Sequence, residues 1–264
     1  MRFQAIVFKI LLTAVVCAGG FSTELNGVAE ESSSPAAEPI STAKLAEQFA
    51  EASDRDEQQK LREQLIAVGE RAIHQIYRQA DNHENPRIRL RCYELLSEEF
   101  GDFAEVHERI ARDGIRDPSD DIRYHCAFAV GQLKIYAGHS NLRRLMDDPK
   151  QPEYVRNAAA KSLAELGEPN VIKRLVEMMQ NDRFMARHMG NLGAKALTGR
   201  NLEDFNDYKY SEGAFVSGGV EAGFAVPPEH YHATVAKRHQ AIADYCSWLA
   251  KERPAIYKHI GVPW

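Results

Sequence analysis

The chain of 264 residues has little of what most enzymes and most nucleic-acid binders require. Basic residues do not predominate: 33 Lys and Arg stand against 38 Asp and Glu, the formal net charge is −5, and the two signs are interspersed. No electropositive stripe is therefore offered to a phosphate backbone, and a nucleic-acid partner is not expected. A phosphate loop, a dinucleotide glycine fingerprint and a G-x-S-x-G nucleophile elbow are all missing. Gly218-Gly219 marks a turn with no helix start behind it. His125 adjoins Cys126, yet neighbours on a helix point in different directions, so they do not make a nucleophile and its base. No catalytic residue and no cofactor is expected. Cysteine is scarce too, with Cys17, Cys92, Cys126 and Cys246 the full complement.

What is present begins with an unusual start. Arg2 and Lys9 bracket Ala5 to Phe8, and an apolar run from Ile10 to Ala18 ends in Gly19 and Gly20. The run is shorter than the about 20 apolar residues of a transmembrane helix, and residues 1–20 read as a secretory signal peptide. The expected location is the periplasm or beyond. A retained membrane anchor is the alternative, as is lipidation at Cys17, although Val16 stands where a small residue would precede a lipidated cysteine. Cleavage would remove Arg2 and Lys9, taking the charge from −5 to −7, and would leave an odd number of cysteines. Residues 21–42 read as a flexible linker, since Gly27 to Thr42 is rich in Ser, Ala, Glu and Pro and poor in large apolar groups.

Beyond it the spacing predicts helices. Leu61, Leu65, Ile66 and Val68, then Ile73, Ile76 and Tyr77, recur every three or four residues around Gly69, which describes a helical hairpin. The pattern then repeats. Ile88-Arg89, Ile122-Arg123 and Val155-Arg156 lie 34 and 33 residues apart, and Arg187 follows Arg156 by 31. Self-similarity of roughly 20 to 50 residues marks a solenoid. In this register Cys92, Cys126, Ala159 and Gly190 fall at one position, a column of small residues expected where first helices approach one another. Packed helices lie about 8–10 Å apart, and a disulfide needs Cα atoms closer than about 7 Å. Cys92 and Cys126 are therefore expected to be buried and unbonded.

Asn85-Pro86 and Asp117-Pro118 opening a helix, the Ile/Val-Arg pair, the patch Ala158-Ala159-Ala160, and Leu163 with Leu166-Gly167 closing it resemble the HEAT-like repeat family over about residues 54 to 200. Together with the leader, the resemblance implies an exported bacterial HEAT-repeat protein. It implies an all-α, right-handed solenoid: an array over 43–200 of about four to five repeats, an irregular aromatic and glycine-rich loop over 201–228, and a capping helix and tail over 229–264. It also implies that Arg89, Arg123, Arg156 and Arg187 pair with acidic residues of neighbouring turns, for which Asp117, Asp120, Asp121, Asp147 and Asp148 are candidates. A basic ladder holding an anionic partner is the competing reading.

Phe205, Tyr208, Tyr210, Phe215 and Phe224 in the loop are suited to covering the open end of the array, or alternatively to binding a partner. The following helix is expected from about His232 to Glu252, with Val235, Ile242, Tyr245, Cys246 and Leu249 on one face; Pro254 ends it, and Ile256, Tyr257, Ile260, Val262 and Trp264 form an apolar tail. His230, His232 and His239 are the nearest approach to a metal constellation, but no carboxylate stands at ligand spacing and no metal is expected. The function that fits is a non-catalytic protein-interaction scaffold in the cell envelope, with Tyr136, His139, Arg143 and Arg144 as contributors to the partner surface. An accessory or lyase-type role, by resemblance to HEAT-like bilin lyases, and a polysaccharide or small-ligand binder built on the 201–228 loop are the alternatives.

Overall fold

Helices form wherever apolar residues recur at three- and four-residue spacing in the computed structural model, which describes residues 41–206, Tyr208 and 228–261, without the side chains of 228–232. The expected leader and nearly all of the expected linker lie outside the described residues, as do Tyr210, Phe215, Phe224, Val262 and Trp264. Twelve helices, and no strands, occur among the described residues. They are α1 (Thr42–Glu51), α2 (Arg55–Val68), α3 (Glu70–Asn82), α4 (Pro86–Glu99), α5 (Ala104–Arg112) and α6 (Asp120–Gln132). There follow α7 (His139–Asp147), α8 (Glu153–Glu165), α9 (Ile172–Gln180), α10 (Phe184–Thr198), α11 (Pro228–Glu252) and α12 (Pro254–Tyr257).

The packing is serial. First helices α4, α6, α8 and α10 pack one on the next, and each also packs on the second helix of the hairpin before it: α3 with α4, α5 with α6, α7 with α8, α9 with α10. A hairpin this small cannot hide its apolar face alone, so the core is shared between neighbours. One cluster of buried side chains accordingly runs from Leu45 to Ile260. Ile88, Ile122 and Val155 sit at equivalent points in it, the last two fully buried, each contributing about 1.5–3 kcal/mol by leaving water. The array is an all-α solenoid of helical hairpins.

Local chemistry sets the helix ends. Asn85 caps α4 by accepting from the Arg87 amide at 3.0 Å, with Pro86 at the first helical position, where its missing N–H costs nothing. Gly167, just after Leu166, takes a left-handed φ of +86° that a side chain would strain.

Three expectations need correction. Ser41 and Thr42 are not linker: Ser41 Oγ accepts from the Lys44 amide at 3.3 Å and α1 starts at Thr42, so the first unit has three helices, with α2 and α3 both packed on α1. Asp117-Pro118 does not open α6, which starts at Asp120; the Asp117 carboxylate accepts from the Ser119 amide at 2.7 Å and faces Arg89. The loop after Gly199 is not irregular at its start. Leu202–Asp204 forms a 3-10 turn, closed reciprocally because Asn201 accepts from the Glu203 amide at 3.2 Å and Asp204 accepts from the Asn201 amide at 2.9 Å. The loop also ends at Pro228 rather than after it, because α11 begins there. No described helix is long and apolar enough to cross a membrane.

Candidate binding surface

The repeated arginines are consumed by the turns that join one hairpin to the next. Arg89 holds Asp117 by two parallel bonds, Nε to Oδ2 at 2.9 Å and Nη2 to Oδ1 at 2.8 Å, and donates to the carbonyls of His83 and Glu84. Arg123 donates to the carbonyls of Asp117 and Pro118 at 2.7 and 2.9 Å, to Gln151 Oε1 at 3.0 Å, and to Asp120. Arg187, fully buried, donates to the carbonyls of Asn181 and Asp182 at 2.9 and 2.7 Å. In all three the guanidinium reaches back five and six residues to clamp the turn ahead of its own helix. Arg156 differs, donating from Nε to the Met146 carbonyl at 3.0 Å. Carboxylate pairing accordingly applies to Arg89 and Arg123, with Asp117 and Asp120 as partners; main-chain carbonyls supply the contacts of Arg156 and part of those of Arg187. Arg89 is held more firmly charged than an ordinary arginine by the Asp117 hydrogen bonds, which outweigh its burial.

The small-residue column is buried throughout: Cys92, Cys126 and Ala159 show no exposure and Gly190 is enclosed. Its neighbours are not only first helices. A Cβ on Gly190 would lie 2.9 Å from the Leu175 carbonyl and 3.0 Å from Met178 Cβ, both on α9, so there the small residue admits the preceding second helix. First helices approach closely at another point, Gly131 against Ser162, whereas Gly193 meets Leu175 of α9 first, with Lys161 at ordinary contact distance. Cys92, Cys126 and Cys246 are free thiols. Burial pushes Cys92 up to about 12 and Cys246 up to about 11, with Cys126 well above its ordinary value.

On the first-helix side the aromatic row of α6 and α8 makes its own contacts, while Met185 and Leu192 on α10 stand exposed. Tyr124 lies between Phe128 at 6.4 Å and Tyr154 at 5.6 Å, and the Tyr154 hydroxyl donates to Asp121 at 3.2 Å. Lys161 is buried, its Nζ 3.5 Å above the Phe128 ring and 2.8 Å from Glu165. Burial lowers the Lys161 pKa, an effect that the Glu165 pairing only partly offsets.

On the second-helix side the turns leave a groove of about 420 Å³ between the 3-10 turn Gly114–Arg116, α7 and the turn before α8. Ile115 and Leu145 are its buried apolar lining, and Arg116, Asn141 and Arg144 line it with Asp117, Asp148 and Gln151. Two of the four residues expected to meet a partner are open here: Arg144 lines the groove, and Tyr136 is 68% exposed. His139 and Arg143 are engaged, at 3.0 and 3.2 Å from one oxygen of Glu168. Burial would raise Glu168, but the Asn170 amide, His139 and Arg143 together hold it below the usual carboxylate range. Arg116, Asn141 and Gln151 were not singled out by sequence reasoning. The 28-residue step from Arg123 to Gln151, matching that from Arg89 to Asp117, is the signal that marks the last of them.

At the far end, Phe205 meets Tyr245 edge-on at 5.7 Å and Trp248 at 6.0 Å, beneath the Arg200 guanidinium at 5.5 Å, and Tyr208 is buried. The described start of the aromatic loop thus lies against α11, whose Ile242, Tyr245, Cys246 and Leu249 are buried; Val235 is half-buried. Ile256 and Tyr257 are half-buried and Ile260 is fully buried, so the described part of the tail packs on the core. His239 is exposed, and the side chains of His230 and His232 are outside the described residues. Among the described residues no group of three or more His, Cys, Asp or Glu could hold a metal.

Residues 109–189 match the family model described as HEAT repeats. No curated protein matches the chain. The matched stretch runs from within α5 into α10, and the same register of apolar residue, arginine and small residue extends back to Ile88 in α4. Serial hairpins and the matched stretch together make residues 109–189 similar in sequence and in packing to HEAT repeats.

Proposed function

We propose that the chain is a non-catalytic, exported scaffold of the cell envelope that holds a protein partner on the second-helix face of its array. HEAT repeats are in general protein-interaction scaffolds. The observation that carries the choice of face is the groove lined by Ile115, Arg116, Arg144 and Leu145, with Tyr136 exposed on the turn that leads into α7. There, arginines stand near an exposed tyrosine, two residue types enriched in protein interfaces. The leader read at residues 1–20 supports an envelope location.

A photo-reactive residue at Tyr136, Ser140 or Arg144 is expected to cross-link a partner in an envelope extract, and one at Tyr154 or Met185 on the first-helix side is not. Cross-linking only from Tyr154 and Met185 would transfer the partner to the other face. A mature N-terminus at Met1, read by mass spectrometry, would remove the cleaved leader from this reading.

A further inference from the structure

We propose that the groove between the Gly114–Arg116 turn and α7 takes an acidic peptide segment of the partner, with its side-chain carboxylates on Arg116 and Arg144. This rests on the scaffold reading and names the chemistry of what is held.

The argument is one of charge left over. Two carboxylates line the groove: Asp117 is neutralised by Arg89, whereas Asp148 is bonded to neutral amides and keeps its charge, set near Lys150 and Arg156. Asp117 gives one oxygen to Arg89 Nη2 at 2.8 Å and the other to Nε at 2.9 Å, and accepts from the Ser119 amide as well. Asp148 accepts from the Lys150 amide at 2.9 Å on one oxygen and from Gln151 Nε2 at 3.0 Å on the other. The inner cation, Arg123, is saturated by Gln151, Asp120 and two carbonyls. Two guanidiniums remain without a carboxylate in hydrogen-bond reach among the described residues, Arg116 with Asp113 nearby. Arg116 makes one side-chain hydrogen bond among the described residues, to the Asn141 amide oxygen at 3.3 Å, and Arg144 makes none and has no ion pair there. Both are exposed at the surface and line the same recess above Ile115 and Leu145.

A planar guanidinium with free donors is matched by a carboxylate, which accepts two of them at once. The apolar lining suits the methylenes of a Glu side chain, and a recess of about 420 Å³ has room for side chains from a peptide strand. A nucleic-acid backbone would need a longer run of unopposed cations than two.

The test uses the full chain and fluorescence anisotropy with a labelled peptide of consecutive glutamates, its glutamine counterpart, and a single-stranded oligonucleotide. The glutamate peptide is expected to bind, to bind about tenfold or more tightly than the glutamine peptide, and to weaken as salt rises from about 0.05 to about 0.5 M. The double variant R116E/R144E should lose about tenfold or more of that binding at an unchanged melting temperature, since both side chains are exposed. Equal binding of the two peptides, wild-type binding by the double variant, or tighter binding of the oligonucleotide would overturn the proposal. A partner cross-linked from Tyr136 that R116E/R144E still holds would also overturn it while leaving the scaffold standing. If no position cross-links any partner, the scaffold reading fails first, whatever the peptide does.

Discussion

Arg89 on α4 and Asp117 in the turn before α6 face each other through two hydrogen bonds, with only 11% and 8% of their side chains exposed. A buried pair of this kind contributes little net stability over an apolar substitute, but removing one member strands the other. Asp117→Ala should cost about 3–5 kcal/mol in urea denaturation. The double substitution R89M/D117L should recover only part of that loss, because methionine leaves the His83 and Glu84 carbonyls without their donor and leucine leaves the Ser119 amide without its acceptor. Additive losses in the double variant would show that the two residues do not act as a unit.

Gly131 on α6 leaves room for α8. A Cβ there would fall 2.3 Å from Glu165 Oε2, 2.6 Å from Ser162 Oγ and 2.7 Å from Ser162 Cα, the last of which is backbone and cannot swing aside. Gly131→Ala should therefore destabilise by about 1–3 kcal/mol, the usual range for overpacking, although alanine is the better helix former. A raised melting temperature would mean that α6 and α8 are less closely apposed.

The thiols of Cys92, Cys126 and Cys246 are buried and held in the protonated form. Alkylation at pH 8 followed by peptide mapping should leave all three unmodified in the folded protein and label all three in urea. Rapid labelling of Cys126 in the native chain would contradict its place against Gly114 and Tyr93.

His125 bonds through Nε2 to Ser97 Oγ at 3.0 Å, and burial lowers its pKa against the opposing pull of Glu98 and the Tyr93 carbonyl. The unfolded chain thus binds this proton more readily than the folded one, so stability rises with pH across the transition. The contribution is fully present above the ordinary histidine value of about 6.5 and is lost as pH falls below it. Urea midpoints measured between about pH 7.5 and about pH 5 should fall less steeply for H125Q, which can keep a bond to Ser97. Parallel curves would place the acid sensitivity elsewhere.

The hairpin register was legible because burial acts on spacing: Ile88, Ile122 and Val155 recur in sequence for the same reason that they stack in space. The arginine column was legible as a structural feature, but its targets were not, because a carbonyl accepts a hydrogen bond whatever side chain it carries. Asp117 and Asp120 announced themselves as anions. Helix α1 was legible only as the start of the array at 43 and not as a third helix of the first unit; it is held by Leu45, Ala46, Phe49 and Ala50 against α2 and α3. The groove was only half visible. Arg144 was picked out as a residue of a second helix, whereas Arg116 and Gln151 come from turns whose approach depends on how successive hairpins stack.

The guanidiniums of Arg89, Arg123 and Arg187 grip main-chain oxygens at His83 and Glu84, at Asp117 and Pro118, and at Asn181 and Asp182, three turns with no residue type in common at either place. Where the grip falls on main chain alone, as at Glu84 and Pro118, a corner can change its lettering without loosening the stack; Asp117, whose carboxylate also holds Arg89, is the exception. Selection can then rewrite the rim for a new partner while the frame beneath it keeps its shape.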